Sequence, residues 1–379
     1  MTVASPAVSG NQRLLSIDVL RGITVGFMIL VNNNGRDELA YRALNHSPWN
    51  GFTPTDLVFP TFLFIMGISL VLSLSGRLDR GATRASLLPH ALRRFALLIF
   101  WGLVVNGFPY FHLSTLRIYG VLQRFAACYI LGVLLLFLTR KASVIAVLTI
   151  AILISYWVLL RWVPVPGHGM PVRDFPLLDH DINLTSWIDR HVFPGRLFEG
   201  TRDPEGLLSD LPSFASVILG MISAFWLRST RSPQARTIGI LLASIVFLAG
   251  GLLWDISFPI NKKLWTSSYV LFAGGWSLLG LSISYYLFDI RKLPGRWITP
   301  ALVFGMNAIS AYVLSELLSS AISAIHVGPV QTLQQWLYFS IFKPIVNPAF
   351  GSLLYSICFV FACWIPMYVL YRKKIFLKL

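Results

Sequence analysis

Apolar runs of near-constant length recur along the 379 residues of the chain, at about 14–33, 54–75, 87–108, 116–138, 142–160, 207–227, 235–253, 266–287, 299–322 and 350–371. Each is near the ~20 residues that carry an α-helix across a hydrocarbon layer. The polar linkers between them are mostly short, whereas a soluble core of this size needs long polar surfaces between its apolar segments. The pattern predicts an all-α polytopic membrane bundle with about ten transmembrane helices. A further stretch, QQWLYFSIFKPIV at 334–346, is short and interrupted by Lys343 and Pro344. It reads as an interfacial or re-entrant helix, or as a partial eleventh crossing. One linker is longer, at about 161–206, and rich in Pro, Gly, Asp and Arg. It is too small and irregular to stand as a separate domain, so 1–379 reads as one transmembrane domain.

Composition strengthens this assignment. Hydrophobic residues make up 55% of the chain and charged residues 12%, against about 25% charged in a soluble domain. The formal net charge of +15 would suit a nucleic-acid partner, but no compact basic domain carries it. The basic residues sit at the ends of apolar runs: RLDRGATR (77–84), RK (140–141), RSTRSPQAR (228–236), DIRKLPGR (289–296) and YRKKIFLKL (371–379). With ten spans these linkers and both termini share one side, and the positive-inside rule puts that side in the cytoplasm. The loop around 44–53 and the long 161–206 loop then lie on the outer side. The first run, Leu14 to Val31, passes into NNNG without a small-residue cleavage site, so no cleavable signal peptide is expected. Cys128, Cys358 and Cys363 fall in apolar segments without metal-ligand spacing and read as packing residues. No metal is expected.

Candidate chemistry lies where polar residues meet the spans. In LNHSPWNGFTPTDLVFPTFLFIMG (44–67), Thr53 caps a helix, Pro54 suits its first turn and Asp56 lies near its positive terminus. The same Asp56 stands to orient the imidazole of His46, or to hold a substrate amine or hydroxyl. Imidazole titrates near neutral pH and takes protons from attacking amines or hydroxyls. Trp49 offers either an interfacial anchor or a face for a sugar ring. Asp18 and Arg21 share one helical face, as an internal ion pair or as a contact for an anionic ligand. Asn32, Asn33 and Asn34 end the first span, one as a cap and another as a donor to a carbonyl or hydroxyl. Charges near or inside spans need partners, water or ligand, which singles out Arg93, Arg94, Arg117 and Arg124. Asp203 and Glu205 in DPEGL, and Lys262 and Trp265 in NKKLWTSSY, crowd helix starts on the outer side. Asn307, inside an apolar run, reads as an interhelical hydrogen-bonding residue. No GxxxxGK, HExxH or GxSxG occurs, so no hydrolytic or nucleotide-hydrolysing motif is present. The residues by themselves leave a transporter and a membrane enzyme open.

The segments LLSIDVLRGITVGFMILVNN, HSPWNGFTPTDLVFPTFLFIMG, RIYGVLQRFAACY, DPEGLLSDLPS, NKKLWTSSYVL and FGMNAIS, with the terminal YRKKIFLKL, resemble the heparan-alpha-glucosaminide N-acetyltransferase family. The likeness runs from about residue 13 to the C-terminus and is similar to the short prokaryotic form, which lacks the animal enzyme's extra N-terminal region. The resemblance implies a multi-pass protein of the bacterial inner membrane, associated with amino-sugar use. It implies that acetyl-CoA is presented from the cytoplasm and that the amine of a glucosamine or glucosamine-terminated glycan accepts the acetyl group on the far side. His46 is then the catalytic residue, with Asn32 and Asp56 beside it. Arg21, Arg93, Arg94 and Arg124 are expected to bind the donor, and Trp49, Asp203, Glu205, Lys262 and Trp265 to bind the acceptor. Both direct transfer and an acetyl-histidine intermediate are open to imidazole. The expected partners are the lipid bilayer, the two substrates and a second copy in a homodimer, with no nucleic acid. The alternatives are a transporter of amino sugars or peptidoglycan fragments and an acyltransferase acting on another glycan.

Overall fold

A computed structural model describes residues 14–293, 295–345 and 347–377. The extreme termini, expected in the cytoplasm, lie outside the described residues, as does Val346 of the 334–346 stretch. Helix α1 (Leu15–Asn32) is followed by two single turns and then by a turn at Pro54–Leu57 that starts α2 (Val58–Leu70). A π-helical turn (Val71–Ser75) joins α2 to α3 (Gly76–Asp79). The chain continues through α4 (Arg84–Gly107), α5 (Val121–Leu138), α6 (Ala142–Trp162), α7 (Leu184–Val192), α8 (Asp210–Leu227), α9 (Pro233–Asp255) and α10 (Ser267–Ser284). After these come α11 (Thr299–Met306), α12 (Ala308–Ala324), a two-stranded ribbon (His326–Val327 with Gln331–Thr332), α13 (Leu333–Leu337) and α14 (Pro348–Arg372). Among the described residues, nine helices are long and apolar enough to cross a membrane, and a bent pair makes a tenth. The expected bundle is present. Helix is forced on such segments because lipid offers their backbone N–H and C=O groups no partner.

The spans fall into two layers. Those of α1, α2, α5, α8 and α10 are between 56% and 72% buried, whereas those of α4, α6, α9 and α14 are between 17% and 28% buried. The outer helices present Phe100, Val147, Val246 and Phe361 to their surroundings, as lipid-facing surfaces should. At the centre α2 and α8 cross with almost no space between backbones. A methyl group on Gly67 would meet the Val217 carbonyl oxygen at 2.0 Å, and one on Gly220 would meet that of Phe64 at 1.9 Å. Small residues at such crossings let apolar helices gain packing that lipid cannot match.

The 299–322 run, expected as one span, is bent by 76° between α11 and α12. Asn307 sits at the break with φ −126° and ψ 41°. Its Nδ2 donates to the Ile375 carbonyl at 3.2 Å, and its Oδ1 accepts from the Leu377 amide at 2.9 Å. It therefore ties the C-terminal segment to the bend rather than joining two helices. The 334–346 stretch forms α13 and a π-helical turn (Tyr338–Phe342), too short to cross. The long 161–206 loop contains only α7 and small turns.

Candidate active site

The site starts from a helix cap. Asp56 at the head of the second span is fully buried. Its Oδ2 accepts from the backbone amides of Thr53 (2.9 Å) and Ser47 (3.2 Å) and from the Thr53 hydroxyl (3.2 Å). This is the reciprocal capping box that the sequence TPTD encodes. With Oδ2 occupied, Oδ1 is left for the imidazole of His46, 2.7 Å from Nδ1. A carboxylate only accepts, so Nδ1 carries the proton and the neutral ring turns its lone pair outward at Nε2. Capping and imidazole orientation are thus one device. Tyr269 holds it from below, its hydroxyl donating to the Asp56 carbonyl at 2.7 Å.

The loop bearing Lys262 is brought to this device by backbone pairing. Asn50 bridges Asn261, and the Gly51 amide donates to the Ile260 carbonyl at 2.8 Å. Lys262 Nζ then lies 3.1 Å from His46 Nε2. The two partners pull the imidazole in opposite directions. Removal from bulk water and the Lys262 charge hold its pKa below the ordinary 6.5, and Asp56 opposes them. The His46 side chain still keeps 39% of its surface accessible, because that surface faces a cavity walled by protein. Burial also lowers the Lys262 ammonium pKa.

The cavity measures about 670 Å³ and lies at one end of the bundle. Asn32, His46, Arg117, Glu205, Lys262 and Glu316 form its polar wall, and Phe59, Phe62, Phe125 and Tyr312 its apolar wall. Five helices supply it: α1 ends there, α2 and α5 begin there, α4 ends there and α12 runs past. Of the expected site residues, Asn32, His46, Glu205 and Lys262 reach this space, and Asp56 stands directly behind His46.

The others are placed elsewhere, for physical reasons. Asp203 lies behind Arg117, whose Nε donates to it at 2.8 Å while Nη2 binds Glu205 at 2.6 Å. Arg124 is fully buried. It binds Asp210 and the Gly206 carbonyl, each at 3.0 Å, and Ser209, with its guanidinium 5.1 Å over the Trp265 ring. Trp265 is likewise fully buried, and its Nε1 donates to Ser216 at 3.2 Å. It is a packing pillar at a left-handed backbone position, with φ +54°, instead of a residue of the aqueous boundary. Trp49 stacks on His180 at 4.0 Å, lies under Arg202 at 5.1 Å and donates to the Leu178 carbonyl at 2.8 Å. Its ring fastens the long loop, leaving no free face for a sugar. Arg21 binds Asp18 and the Gly305 carbonyl, each at 3.1 Å, and Ser69 at 2.8 Å, clamping α1 to α11 and α2. Arg93 is exposed, and Arg94 lies 4.8 Å over the Tyr129 ring. Neither lines the cavity. Two cavity-lining acids that the sequence reading did not single out are Glu199 and Glu316. Glu316 is a lone acid in the otherwise uncharged α12, a pattern visible in the sequence because lipid penalises an unpartnered charge.

Fold and site together define a polytopic helical membrane protein with a carboxylate-oriented imidazole facing a cavity at one end of the bundle. Residues 13–180 match the family model described as heparan-alpha-glucosaminide N-acetyltransferase, catalytic. The chain is 30% identical to the heparan-alpha-glucosaminide N-acetyltransferase of Mus musculus over 98% of its own length, and 30% identical to that of Homo sapiens over 97%. It spans 61% and 60% of the length of those relatives. The chain is thus related to the heparan-alpha-glucosaminide N-acetyltransferases, and the likeness runs through nearly all of it.

Proposed function

We propose that this protein is a membrane-bound acetyltransferase that moves the acetyl group of acetyl-CoA to the amine of a glucosamine-type sugar across a bacterial inner membrane. The observation that carries this reading is the Asp56–His46 pair, with Nε2 turned into a cavity that Asn32 also lines. An amine attacking a thioester must lose a proton as the C–N bond forms. Nε2 takes that proton once the acceptor displaces the Lys262 amine, and the Asp56 carboxylate steadies the resulting imidazolium. Asn32 offers its amide N–H to the acetyl oxygen, where negative charge develops. As the C–S bond breaks, the proton passes from Nε2 to the CoA sulfur. Direct transfer is favoured over an acetyl-histidine because it needs no stable acyl-imidazole.

The donor cannot cross ~30 Å of hydrocarbon whole. Its pantetheine arm reaches inward past the apolar wall while its phosphates stay among cytoplasmic basic residues. The break between α11 and α12 is the kind of discontinuous helix that transporters use. Here the polar groups of Asn307 are taken up by residues 375 and 377, so this break offers a substrate little. In liposomes with labelled acetyl-CoA on one side and glucosamine on the other, the wild-type protein should yield acetylated sugar and His46→Ala should not. Unmodified sugar crossing without CoA release would establish transport instead. An acceptor panel separates glucosamine from other glycans.

A further inference from the structure

Three carboxylates line the cavity: Glu199, Glu205 and Glu316. Two are ion-paired. Lys263 binds Glu199 at 2.7 Å, and Arg202 binds it at 2.5 Å. Arg117 binds Glu205 at 2.6 Å. Glu316 forms no ion pair among the described residues. Asn32, whose amide the proposed reaction already uses, lines the same cavity. Tyr312 on its own helix, with Glu205 and Arg117 from the loops, makes up the charged and titratable surroundings that act on it. His46 and Lys262 share the same space. The cavity's own cations are engaged elsewhere, Arg117 by Asp203 and Glu205, Lys263 by Glu199 and Lys262 at His46, so an acid on a membrane-spanning helix that faces this space is placed to receive a further one.

The substrate chemistry supplies that cation. A sugar amine titrates at about 8, near the range of α-amino groups, so at neutral pH it arrives mostly as an ammonium ion without a lone pair. Acetyl transfer then requires two deprotonations, one before attack and one during it, and His46 accounts only for the second. Building on the acetyltransferase reading, we propose that Glu316 binds the acceptor's ammonium group and takes its first proton. In that step an N–H bond breaks and an O–H bond forms at the carboxylate, leaving a neutral amine beside Asn32 and His46. The amine attacks the thioester, the C–N bond forms and the C–S bond breaks. His46 carries the second N–H proton to sulfur, and Glu316 returns the first to solvent before the next turnover.

The test compares two acceptors on the full chain in detergent. Glucosamine is cationic at neutral pH; O-methylhydroxylamine is an uncharged amine there. Glu316→Gln should lower kcat/KM for glucosamine by about a hundredfold at neutral pH, the scale of one proton-transfer group. Most of that loss should be recovered at pH about 9, where the sugar amine is neutral by itself. The same variant should change the O-methylhydroxylamine reaction by less than about threefold. Equal losses with both acceptors, or no loss with glucosamine, overturn the assignment. A second measurement needs no variant. Without donor, the wild-type protein should bind glucosamine more tightly than glucose at pH about 6.5 and lose that preference by about 9.5; an unchanged preference overturns it as well. If the wild-type protein acetylates neither amine, the acetyltransferase reading itself falls, and this inference with it. If it acetylates both while Glu316→Gln fails the pattern above, only the role of Glu316 falls.

Discussion

Two clusters of charge sit within a few residues of each other in this bundle and have opposite characters. Around Arg117 and Arg124 three carboxylates meet a guanidinium: Asp203 and Glu205 on the first, Asp210 on the second, with the Gly206 carbonyl and Ser209 also bound to Arg124. Around His46 the polar groups are deliberately short of partners. The imidazole has one fixed ligand in Asp56 and a replaceable one in Lys262. The ion pairs of the first cluster hold the segment 203–210 against α5. The second keeps donor and acceptor capacity facing a cavity. A charge buried in a membrane protein is thus not by itself a mark of chemistry. The mark is a charge whose capacity stays open toward a space that a ligand can enter.

The contrast breaks most visibly by removing the imidazole. His46→Ala should leave a folded protein and lower acetyl transfer by about a thousandfold, within the range for a general base, measured as CoA release with glucosamine present. A protein that folds and keeps full activity would remove His46 from the chemistry. The matching experiment in the other cluster is Arg124→Met. It leaves Asp210 without its guanidinium and should cost about 3–5 kcal/mol of stability, the usual result of breaking one side of a buried pair. The readout is thermal unfolding in detergent; an unchanged midpoint would mean that the Tyr119 hydroxyl, which also donates to Asp210, satisfies it without Arg124.

Asp56→Asn should have a smaller effect on the same reaction, about a hundredfold in kcat. Its amide N–H₂ competes with the donors at Thr53 and Ser47, or turns to His46 and reverses the tautomer, moving the proton onto Nε2. Least of all, Lys262→Met should alter the pH profile. Burial and Lys262 hold the His46 pKa below 6.5, so the base stays neutral and active below the ordinary imidazole value. Activity should fall only as pH drops through that lowered value. Without Lys262 the acid limb should move to higher pH; a limb that stays in place would show that burial alone sets it. The same sign applies to stability. Between the ordinary and lowered pKa values the unfolded chain binds more protons, so the His46 contribution is lost as pH falls through that window.

The Asp56–His46 arrangement of the candidate site was legible because it is local. Thr53, Asp56 and His46 lie within eleven positions, and the capping box leaves one carboxylate oxygen over for a neighbour. Trp49 and Trp265 misled for the converse reason. A tryptophan beside polar residues in the sequence reads as an interfacial face, but the packing of the long loop on one and of Phe59 and Tyr269 on the other consumes both rings. Arg124 looked available to a ligand because its carboxylate partner lies 86 positions away, which no local pattern reveals.

By itself the sequence determined that the chain would be a helical membrane bundle, since long apolar segments in lipid satisfy their backbone polar groups only as helices. It also determined the cap that aims His46. Tertiary structure alone decided that Lys262, 216 positions from His46, would face the imidazole, and that Glu316 and Asn32 would line one cavity. Those meetings depend on how helices cross and on the break between α11 and α12, and such crossings are set by side-chain shape summed over whole interfaces instead of by the spacing of residues along one segment.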